Sequence, residues 1–117
     1  MIKLELDVAA LEQDPSGLLT SEVLDQLALT PPEAVDVYAT HEARVVGKCV
    51  RFWREKNELW AELHIEDGVW TNGMHGESMI GIAMPAGKYV LGGVILTGLK
   101  RGELHRAMRA NQKRGQA

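Results

Sequence analysis

Three serines and four histidines are the residues of this sequence that could supply a nucleophile and a general base. Ser16 falls in a turn and Ser21 near a helix start, where both have structural roles. Ser78 lies between a glycine-rich segment and an apolar strand, where backbone N–H groups could stabilise an oxyanion. His41 follows a predicted strand and would meet Ser78 if the two strands are neighbours. His41 and Ser78 are therefore the candidate general base and nucleophile, and a polar residue at a strand end is the alternative for each.

The other histidines have weaker claims to a chemical role. His64 could orient a base or stack on Trp60, and His75 could replace His41 as the base beside Ser78. His105 lies in a basic segment. No two histidines have the spacing of a metal-binding helix, and Cys49 is the only cysteine. We therefore expect no metal, no disulfide and no cofactor.

Three tryptophans, Trp53, Trp60 and Trp70, cluster around a predicted hairpin. Trp60 shares the polar face of its strand with His64, and an aromatic ring on a polar face is typical of an interface or a groove wall. Packing beneath terminal helices is the alternative. Trp60, His64 and Trp70 are therefore candidate binding residues.

Charged residues are unevenly distributed along the chain, whose net charge is −3. Residues 1–36 hold one lysine and eight acidic residues, whereas residues 100–117 hold six basic residues and one acidic residue. Arg101, Arg106 and Arg109 in this basic end are further candidate binding residues, for an acidic protein or for nucleic acid. Nucleic acid is the less favoured partner, because the net charge of the chain is negative and no aromatic residue lies between the basic residues of this segment.

The elements that must position these residues follow from the hydrophobic pattern. Strict alternation over residues 2–8 predicts a half-buried strand within residues 1–10, and Thr20 or Ser21 can cap a helix over residues 20–28. Residues 34–40 could begin a helix at a capping box, but their alternation favours a strand. Hairpins are predicted over residues 43–66 and 78–97, with a loop over residues 67–76 between them. Gly92-Gly93 predicts a bulge or a close backbone approach within the second hairpin, and residues 103–113 predict a basic helix.

These elements predict a single domain over residues 1–117, of the mainly β (α+β) class. The expected architecture is a small antiparallel β-barrel or half-barrel with one or two short peripheral helices. The 45% apolar and 25% charged composition is that of a globular domain, and no apolar run is long enough to span a membrane. The N-terminus lacks the apolar core of a signal peptide, so we expect a cytoplasmic protein.

Residues 37–99 resemble the phage prohead (capsid maturation) proteases of the assemblin-like serine protease class. The resemblance is carried by His41, by Gly47-Lys48-Cys49-Val50 with Leu59-Trp60, by Glu77-Ser78-Met79-Ile80-Gly81, and by Val94-Ile95-Leu96-Thr97. It implies a β-barrel in which His41 is the base and Ser78 the nucleophile. The family's serine normally sits directly before Ile-Gly, where this chain has Met79, and no residue matches the third catalytic position. A shift of one residue in a strand reverses the face on which a side chain lies.

Two functions follow as expectations. The first is a small phage-type β-barrel protein that acts by protein–protein contact, as a capsid-associated protein, an inhibitor of a host factor or a reduced prohead-protease-like domain. Its partner would be a capsid, scaffold or host protein, met in the host cytoplasm or the phage particle. The alternative is an active serine endopeptidase with His41 and Ser78 that cuts scaffold or capsid peptides. A third interpretation, a nucleic-acid binder with a basic tail, ranks below both.

Overall fold

The structure is a computed structural model that describes residues 1–8, 20–39, 44–70, 73–84 and 86–98. Their elements are β1 (Ile2–Asp7), α1 (Ser21–Ala28), a 3₁₀ turn (Pro32–Ala34), β2 (Asp36–Ala39), β3 (Val45–Glu55), β4 (Glu58–Ile65), β5 (His75–Ala83) and β6 (Lys88–Thr97). The predicted basic helix over residues 103–113 lies outside the described residues, as do His41, Arg101, Arg106 and Arg109.

The described strands close into a barrel in the order β1-β4-β3-β2-β6-β5. Four neighbouring pairs are antiparallel, whereas β1 pairs with β5 and β2 pairs with β6 in parallel. Closure removes the unpaired edges that an open sheet would present. The predicted mainly β fold, a small barrel with a short peripheral helix, is confirmed.

The barrel interior is filled by side chains from alternating positions of the strands. Leu4 and Leu6 of β1 are buried, as are Leu59, Ala61 and Leu63 of β4. This is the period of two that the sequence shows in both strands, so one face of each strand packs in the core while the other faces outward. Trp60 belongs to the outward-facing set of β4.

Helix α1 is capped by Thr20, whose Oγ1 accepts a hydrogen bond of 3.2 Å from the backbone N–H of Val23. Thr20 is therefore the cap, and Ser21 is the first helical residue. The stripe formed by Val23, Leu24 and Leu27 is buried, as the helical spacing predicts.

The same helix covers the part of β6 that is paired with β5 on one side but has no strand on its other side among the described residues. β2 pairs with β6 only from Val94 to Leu96. The N–H of Tyr89 donates to Gln26 Oε1 at 2.9 Å, and the N–H of Leu91 donates to Thr30 Oγ1 at 3.0 Å. Side chains from the helix and the turn after it thus replace a strand as hydrogen-bond acceptors.

Within residues 34–39 the structure favours the strand: Ala34 ends a single 3₁₀ turn with proline at its start, and Asp36–Ala39 form β2. It also corrects the predicted loop over residues 67–76, because β5 already begins at His75. Gly76 pairs with Leu6 of β1, and a Cβ added there would lie 2.5 Å from a Leu4 methyl and 3.0 Å from a Leu6 methyl, so these side chains would have to shift. The predicted bulge is confirmed, since Gly92 is skipped where β5 and β6 pair.

Gly47 marks a close approach between β3 and β4. A Cβ atom added to Gly47 would overlap the carbonyl oxygen of His64 and lie 3.1 Å from the Cα of Ile65. These are backbone atoms, so the neighbouring strand has to shift before any side chain fits at this position.

We predict that Gly47→Ala lowers the free energy of unfolding by about 1–3 kcal/mol because of this overlap. Gly81→Ala is the matched control, because a Cβ on Gly81 of β5 meets nothing within 4 Å. A strand alanine there should be neutral or stabilising by about 0.5 kcal/mol. Urea denaturation of both variants measures the difference, and equal stabilities would contradict the close approach.

Candidate functional site

The outer surface of β1, β4 and β3 carries a continuous set of large and charged side chains. Residues directly opposite one another on paired strands share a face, and the register therefore defines rows across the three strands. One row places Trp53 opposite Trp60, which lies opposite Glu5. The set, which we name the tryptophan face, consists of Lys3, Glu5, Arg51, Trp53, Glu55, Glu58, Trp60 and Glu62.

The centre of the tryptophan face is an aromatic pair with a cation above it. The rings of Trp53 and Trp60 are stacked, with centroids 6.2 Å apart and planes 20° from parallel. The guanidinium carbon of Arg51 lies 4.5 Å from the Trp53 ring centroid, within cation–π range. Such a pair on the outer face of a barrel is available to a ligand that presents flat or apolar surface.

Arg51 is held in place by its cross-strand neighbour. Its Nε donates to Glu62 Oε1 at 3.0 Å, and the two residues are in register. The Glu62 side chain is only 15% exposed, whereas that of Arg51 is 56% exposed. The salt bridge therefore restrains the arginine while much of its surface remains accessible to a partner.

A shallow depression lies beside the ring pair, lined by Lys3, Arg51, Trp53, Glu55 and Trp60. The indole Nε1 of Trp60 is buried and has no hydrogen-bond acceptor among the described residues. A buried indole N–H normally finds a partner. The depression thus combines apolar walls with cations and a carboxylate at its rim.

A β-bulge at Val50 orients β3 so that this site can form. Cys49 is opposite Leu63, but Arg51 is opposite Glu62, so Val50 is the additional residue. Cys49 is buried and Phe52 packs against the core, although the two are three positions apart. Regular pairing would place residues three apart on opposite faces. The bulge therefore brings both to the core side and leaves Arg51 and Trp53 outside.

Of the residues on this face, Trp60 is predicted as a binding residue from the sequence, whereas Arg51 and Trp53 are identified only by the structure. The sequence does contain a signal for their outward position. Cys49 and Phe52 are apolar and three positions apart, and two such residues of one strand can both face the core only if a bulge lies between them. Trp70, another candidate, lies in the loop after β4 and packs against the core.

His64 is exposed on β4 and lies opposite Lys48 in the register. It is separated from Trp60 by Glu62 and about 14 Å of strand, so the two do not stack. Lys48 forms an ion pair with Asp36, which raises the pKa of the lysine through the hydrogen bond and the opposite charge.

Ser78 is buried, with 4% of its surface exposed. Its Oγ donates a 2.7 Å hydrogen bond to the backbone carbonyl of Asp7, which joins β5 to β1. His75 is exposed and lies three positions earlier in β5, on the opposite face of the strand. The described residues therefore give the Ser78 hydroxyl a structural partner, and they do not bring His75 to it.

The described residues hold no group of three or more metal-ligating side chains of the kind that could bind a metal ion. None of the helices described is both long enough and apolar enough to cross a membrane. The fold and the site together define a small closed β-barrel with an outward-facing set of charged side chains around two half-buried tryptophans. No family model, no curated protein and no solved structure matches this chain.

We predict that Ser78→Ala lowers the free energy of unfolding by about 1 kcal/mol, because it removes a buried hydrogen bond between two strands. Ser21→Ala removes only an exposed hydrogen bond, which Arg54 Nη2 donates to Ser21 Oγ, and this control should change stability by less than about 0.5 kcal/mol. Chemical denaturation provides the measurement. A Ser78→Ala variant as stable as the parent chain would contradict the structural role of the hydroxyl.

Cys49 supplies a further test of the packing behind the site. The thiol is on the core side of β3, and burial raises its pKa to about 12. Since only the thiolate reacts, the native chain at pH 8.5 should be alkylated by iodoacetamide about a thousandfold more slowly than the chain unfolded in urea.

The raised pKa of Cys49 also has a consequence for stability at high pH. The thiol of the unfolded chain ionises first, so the free energy of unfolding should fall as pH rises from about 9 toward 12. The Cys49→Ala variant should lack this component of the decline. Identical pH profiles for the two chains would show that the thiol is not shielded in the folded barrel.

Proposed function

We propose that this chain is a small β-barrel protein that acts by protein–protein contact through the tryptophan face. The observation that carries the proposal is the stacked Trp53–Trp60 pair with Arg51 above it, on the outside of the barrel. Tryptophan and arginine are the residue types most enriched among the energetically dominant anchors of protein interfaces.

The restraint on Arg51 supports a binding role. Its salt bridge to Glu62 and its position over Trp53 fix the side chain before a partner arrives. Binding then immobilises fewer freely rotating groups, and less conformational entropy is lost on association. A tryptophan ring is also rigid, with only two rotatable bonds, so it contributes contact area at a small entropic cost.

The charges around the ring pair favour a protein partner over nucleic acid. Glu5, Glu55, Glu58 and Glu62 accompany Lys3 and Arg51 on the tryptophan face. Single-stranded nucleic acids bind aromatic platforms that lie in positively charged grooves, and these carboxylates would repel phosphates. A protein surface can match both signs of charge.

The protease alternative receives less support. A serine nucleophile has to reach its substrate and give its proton to a base. The Ser78 hydroxyl is instead buried and donates a hydrogen bond to the Asp7 backbone carbonyl. The phage setting of this proposal, with a capsid, scaffold or host protein as partner, rests on the sequence resemblance of residues 37–99 alone.

We predict that a photoreactive amino acid placed at Glu55, on the rim of the tryptophan face, crosslinks to a protein in an extract of the source cells. The same amino acid at Glu33, an exposed position in the 3₁₀ turn, is the control and should give little product. Trp53→Ala in the Glu55-labelled chain should abolish the adduct, whereas Ile82→Ala, at an exposed position on β5, should not.

Two outcomes would contradict the proposal. Adducts of equal yield at both positions would show that the tryptophan face is not the contact surface, and a nuclease-sensitive adduct would show that it binds nucleic acid. A serine-directed fluorophosphonate that labels the folded chain at Ser78 would instead favour the protease.

A further inference from the structure

Three polar side chains on the outer side of the barrel are buried. Asp7 of β1, Glu77 of β5 and Thr97 of β6 are 3%, 5% and 2% exposed. The residue before each of them faces the core, so alternation places all three on the outer side. These core-facing residues are Leu6, Gly76 and Leu96. An outward side chain is buried only where another part of the chain lies over it.

Two of the three buried side chains are carboxylates on neighbouring strands. Asp7 and Glu77 are in register where β1 and β5 run parallel, so they are separated by about 5 Å of strand spacing. Like charges opposite one another are destabilising, and a buried carboxylate is costly unless a cation pairs with it. The part of the chain that covers Asp7 and Glu77 therefore has to supply positive charge.

The basic residues of the chain indicate where this charge comes from. Seven of the thirteen lie among the described residues, and four of these form ion pairs with other carboxylates, those of Asp25, Asp36, Glu62 and Glu66. None of the other three is in register with Asp7 or Glu77; they are Lys3, Lys56 and Lys88. The remaining six basic residues all follow Gly98, within residues 99–117.

The C-terminal segment, residues 99–117, begins beside the two carboxylates. Thr97 pairs with His75, two residues before Glu77, and the backbone bends at Gly98. By strand spacing and rise, Thr97 is about 8 Å from Glu77 and about 12 Å from Asp7. Four residues of extended chain span about 13 Å. The first basic residues of the segment, Lys100 and Arg101, are therefore within reach of both carboxylates.

The overall charges favour contact between the C-terminal segment and the barrel. The net charge of the chain is −3, and because residues 99–117 contribute +5, residues 1–98 contribute −8. Opposite charges of this size attract over distances longer than an ion pair. The covalent connection at Gly98 also keeps the local concentration of the segment high, so it meets its own barrel before that of a second copy.

We propose that the C-terminal segment binds the outer side of β1 and β5 of its own chain, with basic side chains over Asp7 and Glu77. The contact does not depend on the function proposed for the tryptophan face. It assigns the candidate binding residues Arg101, Arg106 and Arg109 to the barrel itself. An acidic protein or a nucleic acid that binds this segment has to compete with the two carboxylates.

Trypsin digestion of the full chain, followed by intact-mass spectrometry, tests the contact. Trypsin cuts after lysine and arginine, so the C-terminal segment offers six sites. A synthetic peptide of residues 99–117 gives the cleavage rate of the free segment. In the full chain these bonds should be cut about tenfold or more slowly, because the protease acts on the detached segment. The Asp7→Asn, Glu77→Gln double variant should be cut at a rate close to that of the peptide.

The matched control is the Glu22→Gln, Glu33→Gln double variant, which makes the same change in net charge at two exposed positions. It should retain the protection of the parent chain. A parent segment cut as fast as the peptide, or equal rates in the two double variants, would overturn the proposal. Protection that increases with protein concentration would place the segment on a second copy and would also overturn it.

A double-mutant cycle separates ion pairing from a folding defect. Its second background is the full chain with all six basic residues of the C-terminal segment replaced by glutamine. Glu77→Gln should lower the urea midpoint of the parent chain, because a paired cation is left without its carboxylate. In the neutral-segment background the same substitution should leave the midpoint unchanged or raise it, since the carboxylate has already lost its cation. Equal shifts in the two backgrounds would contradict the contact.

Discussion

The site depends on one constraint, the strict separation of inward and outward side chains that barrel closure imposes on every strand. β3 satisfies this constraint only because Val50 is bulged out of its pairing with β4. Without the additional residue, Arg51 and Trp53 would point into an apolar interior and Phe52 would face solvent. The cost of burying a guanidinium without full compensation is several kcal/mol, which makes the bulge the arrangement compatible with a closed barrel. The tryptophan face is thus a direct consequence of how the core is closed.

Much of the fold could be predicted because its elements are locally consistent. The alternation in β1 and β4, the helical stripe of α1 and the polar turn at residues 56–57 each indicate their structure without reference to the rest of the chain. The outward position of Trp60 is predictable for the same reason. The outward positions of Arg51 and Trp53 are not, because the period of two breaks at Val50 and the faces of the following residues depend on pairing with β4. A cross-strand ring contact is a property of register, which a single sequence specifies only weakly.

Ser78 illustrates how pairing overrides local composition. The glycines and asparagine of residues 67–76 favour a loop, and a serine at the end of such a loop resembles an accessible nucleophile. In the barrel, however, Gly76 is a point of close contact with β1, and β5 extends back to His75. The strand therefore starts three residues earlier than the composition predicts. Ser78 lies inside the strand and donates a hydrogen bond to the backbone carbonyl of Asp7. Glycine here indicates close packing of two strands, a meaning that composition alone does not distinguish from flexibility.

Glu62 connects the core constraint to the chemistry of the surface. It lies between Lys3 and Arg51 in the register, and its salt bridge fixes the arginine over Trp53. An exposed ion pair of this kind contributes little to stability, about 0–1 kcal/mol, so its main effect is on geometry. Alternation places Arg51, Trp53 and Glu55 of β3 on the outer face. Because Arg51 is restrained, the cation, the ring and the carboxylate follow one another in a fixed order along the strand. That order has a direction, and a directional face discriminates between partners and between orientations of one partner, which an apolar patch alone cannot do.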